Sequence, residues 1–516
     1  MKRWMLASAV LGAIFLLLGA HWIRRAQLPR RDIMLDGRNC HTPATILDPP
    51  NGVTPVGSAI VLHGLSADRR VMMYLGSDFA GHGFRTYLFD LAGHGDNTDA
   101  FTFPRAEQCA AIAIDSLTRS GAVDPRTTIL LGHSMGGAIA VRMADHHPLA
   151  ATIALSPAPM TLPQRMPSNL LVLAGGLDLW PVKREARALA AAANGDRTSP
   201  SDFAEERAFQ LVFLPYATHT TGLLDHGVAH RAELWAMQAL FPGVAPKTLA
   251  LNLDLATYAT FRSGRWRLAG SILGLIGLVL LFPLALKLAS KLAGPRSADS
   301  SSLRPSRALA AAEGAAAALA GVFLLCIALP LRFLHLYGGS YFASLLLFSG
   351  LFLLLLNLKP ASESWQPRAR PIVAAALLAF ATFLATGAWL NWQLADLWMN
   401  APRWARFAEL LPVAFLFCFA EETVLGAVED GGRRTLRYFI ALLLRLELWL
   451  ACLLAYYVLL HGDILILILF FTLAAFSAAQ RLATDALRAR TGSAIGAALF
   501  GAILAAWFIA AIFPLD

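Results

Sequence analysis

The sequence predicts two architectures in one chain: an α/β layer with a mostly parallel sheet and flanking helices, and an all-α polytopic membrane domain. Three observations carry this reading. Between residues 32 and 245, short apolar runs alternate with longer amphipathic stretches, the pattern of strands and crossover helices. After residue 267 the chain becomes a series of long apolar segments. The composition also excludes a purely soluble globule and a disordered chain. Of 516 residues, 57% are apolar and only 15% charged, with a formal net charge of +9; ordinary soluble domains hold about 45–50% apolar and about 25% charged residues.

From the N-terminus, Trp4 to Ile23 is nearly uncharged, of bilayer-spanning length, and flanked by Lys2, Arg3, Arg24 and Arg25. A cleaved signal peptide is the rival, but no small-x-small site follows, so residues 1–31 read as an uncleaved signal anchor. Residues 32–245 are the sheet domain. Residues 246–267 form a basic, aromatic connector (Tyr258, Phe261, Arg262, Arg265, Trp266). Residues 268–516 are the membrane domain, with eight helices expected near 268–286, 308–331, 341–358, 372–394, 407–426, 438–460, 464–482 and 493–513. Basic loops (Lys287 to Arg307, Lys359 to Arg370, Arg433 to Arg437, Arg481 to Arg490) alternate with loops poorer in Lys and Arg. Basic loops stay cytoplasmic, so the sheet domain is expected outside the cytoplasm of a bacterial-type inner (plasma) membrane. Arg24, Arg25, Arg30, Arg31, Arg262, Arg265 and Arg267 run against that rule and would lie along anionic headgroups.

Within the sheet domain, Thr127 to Leu131 is a strand that runs into Gly132-His133-Ser134-Met135-Gly136-Gly137 and then a helix. Gly-x-Ser-x-Gly in strand–turn–helix context is a nucleophile elbow. Side chains at Gly132 or Gly136 would collide with neighbouring backbone, and the following helix aims its positive end at the serine. Upstream, strand Ser58 to Leu62 ends in His63-Gly64-Leu65, so the amides of Leu65 and Met135 are the two candidate oxyanion donors, with Gly64 a motif glycine. Strand Thr86 to Phe89 leads into Asp90-Leu91-Ala92-Gly93-His94-Gly95. Asp178 follows strand Asn169 to Ala174, and His219 follows strand Phe209 to Leu214. The chain order Ser134, Asp178, His219 is nucleophile, acid, base. Turn or capping roles are the bland readings for the three, whereas His63, His94, His133, His146 and His147 are read as packing residues.

These motifs resemble the α/β-hydrolase superfamily, and within it the monoacylglycerol lipase, lysophospholipase and serine aminopeptidase-like branch. The likeness rests on His63-Gly64, Asp90 to Gly95, Gly132 to Gly137, Asp178 and His219, and covers under half of the chain. It implies an α/β-hydrolase fold and a serine hydrolase acting by acyl transfer, with no cofactor and no metal. In relatives a cap commonly follows the sixth strand, here Thr152 to Leu155; Ser156 to Ser168 is too short for a helical cap. The expected partners are the lipid bilayer and an amphipathic ester, a lipid or lysolipid among them. No basic stripe with stacking aromatics marks the sheet domain, which argues against nucleic acid.

In the membrane domain, Glu421-Glu422 followed by Arg488 to Ser493 resembles a degenerate CAAX-processing intramembrane protease family. That family's motif arginine is Gly426 here, no later span holds a histidine, and His461 lies in a loop. The plainer alternative pairs Glu421 and Glu422 with Arg445 or lets them face a polar cavity. Five cysteines without Cys-x-x-Cys spacing exclude a disulfide scaffold and a zinc or thiol-redox motif. Cys40 and Cys109 either pair in an oxidising compartment or stay as buried thiols. Two other functional classes stay open: a hydrolase-like ectodomain that binds without catalysis, and a transporter with an accessory hydrolase domain.

Overall fold

Strands form here where aliphatic runs can be covered on both faces. In the computed structural model, β5 (Thr128–His133), β6 (Ala151–Leu155) and β7 (Leu170–Gly175) are buried at every residue. That is the signature of central parallel strands sandwiched by helices. With β3 (Gly57–Leu62), β4 (Phe84–Phe89) and β8 (Phe209–Leu214) they form the parallel part of an eight-stranded sheet, ordered β1-β2-β4-β3-β5-β6-β7-β8. β1 (Arg30–Gly37) and β2 (Cys40–Leu47) pair as an antiparallel hairpin, and β2 joins β4 antiparallel. The hairpin turns at Arg38 (φ 45°) and Asn39 (φ 64°), the left-handed pair that a two-residue turn requires. The structure describes residues 2–245, 247–249, 263–296, 307–328, 333–426, 432–459 and 465–516. Tyr258, Phe261 and Arg262 of the expected connector, and His461, lie outside the described residues.

Helices α2 (Met73–Gly81), α3 (Phe103–Arg119), α4 (Met135–Arg142), α5 (Trp180–Ala192), α6 (Pro200–Ala204) and α7 (His226–Leu240) flank the sheet; α1 (Lys2–Arg25) precedes it. Thr102 caps α3, its hydroxyl accepting from the Arg105 amide at 3.1 Å. Asp225 caps α7 on the Gly227 and Val228 amides. The main core joins Val61, Leu131, Ile153 and Leu173 of the sheet to Phe79 of α2 and Trp235 of α7. Each such side chain stabilises by about 1.5–3 kcal/mol when fully buried. Trp235 keeps its polar edge satisfied by donating to the Asn169 carbonyl at 2.7 Å. Between β6 and β7 the chain runs without helix or strand, so among the described residues no cap rises there.

The chain divides into two compact units. One holds residues 15–276 together with 389–398 and 514–516; the other holds residues 1–14, 277–388 and 399–513. The second is helical. The helices after the sheet are α8 (Ser263–Ala293), α9 (Arg307–Ala328), α10 (Gly339–Leu356), the short α11 (Leu358–Ser364), α12 (Ala369–Gln393), α13 (Ala401–Leu425), α14 (Gly432–Leu459), α15 (Leu465–Thr491) and α16 (Ala494–Ile512). Apart from α11, each falls on one of the eight expected apolar segments. Five helices of the described residues, α1, α8, α10, α12 and α16, are long and apolar enough to cross a membrane by length and composition.

Cys40 and Cys109 form a disulfide that ties the start of β2 to α3, buried with Ile112. It settles the alternative left by the sequence in favour of pairing. The bridge spans 69 residues of chain, and loop-closure entropy over that length stabilises by about 4 kcal/mol at most. Alkylation of the denatured protein without reductant is therefore expected to label two fewer thiols than after reduction. Replacing both cysteines by serine should lower unfolding stability by about 2–4 kcal/mol, read from denaturant curves.

Candidate active site

The site begins with a glycine constraint. A Cβ at Gly132 would lie 2.0 Å from the Gly136 carbonyl oxygen, and one at Gly136 would lie 2.5 Å from that of Leu62 and 2.6 Å from that of His63. No side chain survives such contacts. Glycine at both positions lets β5 turn sharply into α4, leaving Ser134 at φ 54°, ψ −115°. A non-glycine residue with positive φ is strained and persists only where its surroundings enforce it. Here the Ser134 amide donates to the Leu155 carbonyl at 2.9 Å, and its carbonyl accepts from Ala158 at 3.0 Å. The strained residue is thus tied to β6 and to the chain just beyond it.

The imidazole of His219 is buried, and its Nδ1 donates to Asp178 Oδ1 at 2.9 Å. Nε2 then carries the lone pair. It is buried and makes no hydrogen bond among the described residues, so it is not bonded to the Ser134 hydroxyl. What ties His219 to the elbow is His133, the residue before the serine. Its Nε2 donates to the His219 carbonyl at 2.9 Å, and the two rings lie 4.9 Å apart. Burial and then the neighbouring His219 push His133 down to about 3, so it is neutral and acts as a fixed donor. The sequence reading of His133 as packing missed this tie; nothing in a lone histidine beside the serine announces a carbonyl partner 86 residues away.

Asp178 sits just past β7 and accepts the Leu179 amide at 2.7 Å as well. Burial alone would raise its carboxyl. The bond and charge of His219, the Ser156 hydroxyl and the Leu179 amide outweigh that and hold it below the usual 3.8. It is a carboxylate at neutral pH, suited to orient an imidazole and to stabilise its charged form.

The two candidate oxyanion amides are close to the serine by construction. Met135 heads α4, so its N–H is among the first-turn donors that lack an intrahelical partner. Leu65 lies three residues past β3, and a Cβ at the adjoining Gly64 would fall 3.1 Å from the Ser134 Cβ. His63 is fully buried, its Nδ1 donating to the Gly64 carbonyl at 2.7 Å and its Nε2 accepting the Leu91 amide at 2.9 Å. That bonding matches its reading as a packing residue. His226 and His230 lie on α7.

In the helical unit, Glu421 and Glu422 are fully buried and heavily paired. Arg445 grips Glu421 with two bonds of 2.8 Å, and Arg481 reaches it at 2.9 Å. Arg437 binds Glu422 at 2.8 Å, and Arg481, Arg488 and Asp485 close the network. The pairing with Arg445 is the plainer alternative of the sequence; the partners on α15 were not foreseen.

Residues 59–267 match the model of the alpha/beta hydrolase family. That stretch is an α/β-hydrolase segment. The chain is 33% identical over 112 residues to a protein of Mycobacterium phage D29 described as "Putative non-heme haloperoxidase". The match takes in 21% of this chain and 39% of the phage protein, so the chain spans about two fifths of that relative. Solved structures of similar fold include an alpha-beta serine hydrolase homologue from Coxiella burnetii, 18% identical, covering 40% of this chain and 96% of that one at a TM-score of 0.32. A Pyrobaculum calidifontis esterase is 14% identical, covering 46% and 94% at a TM-score of 0.33.

The elbow generates a sharp expectation. Gly136→Ala should destabilise the α/β-hydrolase unit by about 3 kcal/mol or more, because the new methyl meets two carbonyl oxygens. Gly195→Ala, where no atom lies within 4 Å of the added Cβ but φ is +85°, should cost only about 1 kcal/mol. Thermal unfolding of the two variants checks the contrast.

Proposed function

We propose that the α/β-hydrolase unit is a membrane-bound serine hydrolase that cleaves an ester by acyl transfer. Ser134 is the nucleophile, His219 the general base and Asp178 the group that orients it. The reading is carried by one observation: the His219 imidazole is held by Asp178 at 2.9 Å, and the loop that bears it is tied to the elbow by the bond from His133 to the His219 carbonyl at 2.9 Å. Attack of the Ser134 oxygen on the ester carbonyl passes its proton to His219 Nε2. The amides of Leu65 and Met135 receive the developing oxyanion. His219 then protonates the leaving alcohol, and water resolves the acyl-enzyme by the same route. Apart from the ester and water, every group in these steps is supplied by the chain's own residues.

The substrate class follows from where the unit is tethered. α1 immediately precedes the sheet, and the segment between β6 and β7 builds no cap. Both favour an amphipathic ester met at a membrane surface, a lipid or lysolipid of the kind handled by the lipase and lysophospholipase branch. The Cys40–Cys109 bridge supports an oxidising compartment, hence an extracytoplasmic hydrolase unit in a bacterial-type inner membrane. We read the helical unit as an anchoring scaffold, because guanidinium groups already occupy Glu421 and Glu422.

One observation favours the non-catalytic reading: Nε2 of His219 lacks a bond to the serine. Such bonds are often long in unliganded enzymes and tighten with substrate. Labelling of the full-length protein in native membranes by a fluorophosphonate separates the two. We expect labelling of the wild type, its loss in Ser134→Ala, and a drop in ester turnover of at least about 10³-fold in Ser134→Ala and His219→Ala. A folded wild-type protein that never labels would favour the binding module.

A further inference from the structure

The turn that carries Leu65 is anchored by a residue more than three hundred positions away. After β3 the chain makes a tight turn, the Ala67 amide donating to the Gly64 carbonyl at 3.2 Å with Ser66 at φ 59°. The next three residues, Asp68, Arg69 and Arg70, are all ionic anchors. Arg69 is buried and ties the turn to the sheet. Its amide donates to Asp90 Oδ1 at 2.8 Å, its side chain pairs with Asp90 and with Asp96 at 2.7 Å, and its Nε donates to Thr45 at 3.0 Å.

Asp68 and Arg70 face a different element. Asp68 Oδ1 accepts the Arg70 amide at 2.7 Å, while its Oδ2 accepts the Asp396 amide at 2.8 Å. Arg70 pairs with the Asp396 carboxylate, which also accepts the Trp398 amide at 3.2 Å. Asp396 is buried, 6% exposed, and belongs to residues 389–398, the last turn of α12 and the chain just after it, which lie in the hydrolase unit. That piece is itself held: Trp389 donates to the Ser271 carbonyl and Gln393 accepts from Arg267, each at 2.9 Å. A buried Arg–carboxylate pair is directional; without Asp396, Arg70 would keep only the half-exposed Asp96 carboxylate at 3.6 Å. The Asp68–Arg70–Asp396 latch therefore fixes the outer end of the turn, and the Leu65 N–H is at its inner end.

We infer that Asp396 is a positioning residue for the hydrolytic reaction, holding the oxyanion turn in place through Arg70 and Asp68. This rests on the reading of Leu65 as an oxyanion donor. It predicts a change in kcat rather than in substrate binding, because the donor is used in the transition state.

The test uses the full-length protein and a short water-soluble p-nitrophenyl ester. Asp396→Asn keeps the backbone donor to Asp68 but removes the nearer of the two carboxylates that face Arg70, leaving Asp96 at 3.6 Å. The expected result is a ten- to hundredfold loss of kcat, with KM within about twofold of wild type. The rate of fluorophosphonate labelling at Ser134 should fall in parallel, and Asp396→Glu should recover most of both. A folded Asp396→Asn protein with wild-type kcat, or one whose loss lies in KM alone, would overturn the assignment. If Asp396→Asn does not fold, Arg70→Gln is read in the same way, and failure of both to fold would make the latch structural and overturn the inference. Absence of labelling in the wild type would instead sink the parent reading, so the two failures are distinguishable.

Discussion

Everything at the site depends on one backbone contact that only glycine allows. Gly132 and Gly136 face each other so closely that the end of β5 and the first turn of α4 nearly touch, with the Leu62 and His63 carbonyls against the same spot. That closeness forces Ser134 into a left-handed conformation at the head of a helix. The strain is repaid by hydrogen bonds from β6 and the chain after it. A strained, exactingly placed residue is a common device where chemistry needs a side chain held off the surface of a sheet. His133, just before the serine, carries the second half of the arrangement by bonding the His219 backbone. The elbow therefore places both the hydroxyl and the loop that bears the imidazole.

Local patterns made much of this legible. The central strands were readable because burial on both faces leaves unbroken aliphatic runs. The elbow was readable because its glycines are steric requirements at fixed spacing. The placement of Asp178 and His219 just past two strand ends was legible, and the structure joins the two at 2.9 Å. The first hairpin was not. β1 reads RRDIMLDG, an edge strand with most residues partly or fully exposed, and Ile33 to Leu35 is too short an apolar run to betray it. The Cys40–Cys109 pair was legible only as one of two alternatives, and the Asp396 latch not at all, because each is a contact between distant residues whose local sequence fits several roles.

The helical unit shows what a motif can and cannot say. Adjacent glutamates inside an apolar helix demand partners, since an unpaired charge there is costly. The sequence could name Arg445 as a candidate, yet the fully buried Arg481 and Arg488 come from a different helix. Seven charged side chains interlock across α13, α14 and α15: Glu421, Glu422, Arg437, Arg445, Arg481, Asp485 and Arg488. Such a network is weak evidence of stability and better evidence of a specified packing arrangement.

The central claim is that Ser134 takes the acyl group during turnover. Rapid acid quenching of the full-length protein while it hydrolyses an ester with a labelled acyl group, followed by peptide mapping, addresses it directly. The account predicts a covalent acyl group on the peptide containing Ser134, forming before steady state and disappearing when substrate is exhausted. Turnover at an undiminished rate with the acyl group on another residue, or with no covalent intermediate at any time, would contradict it.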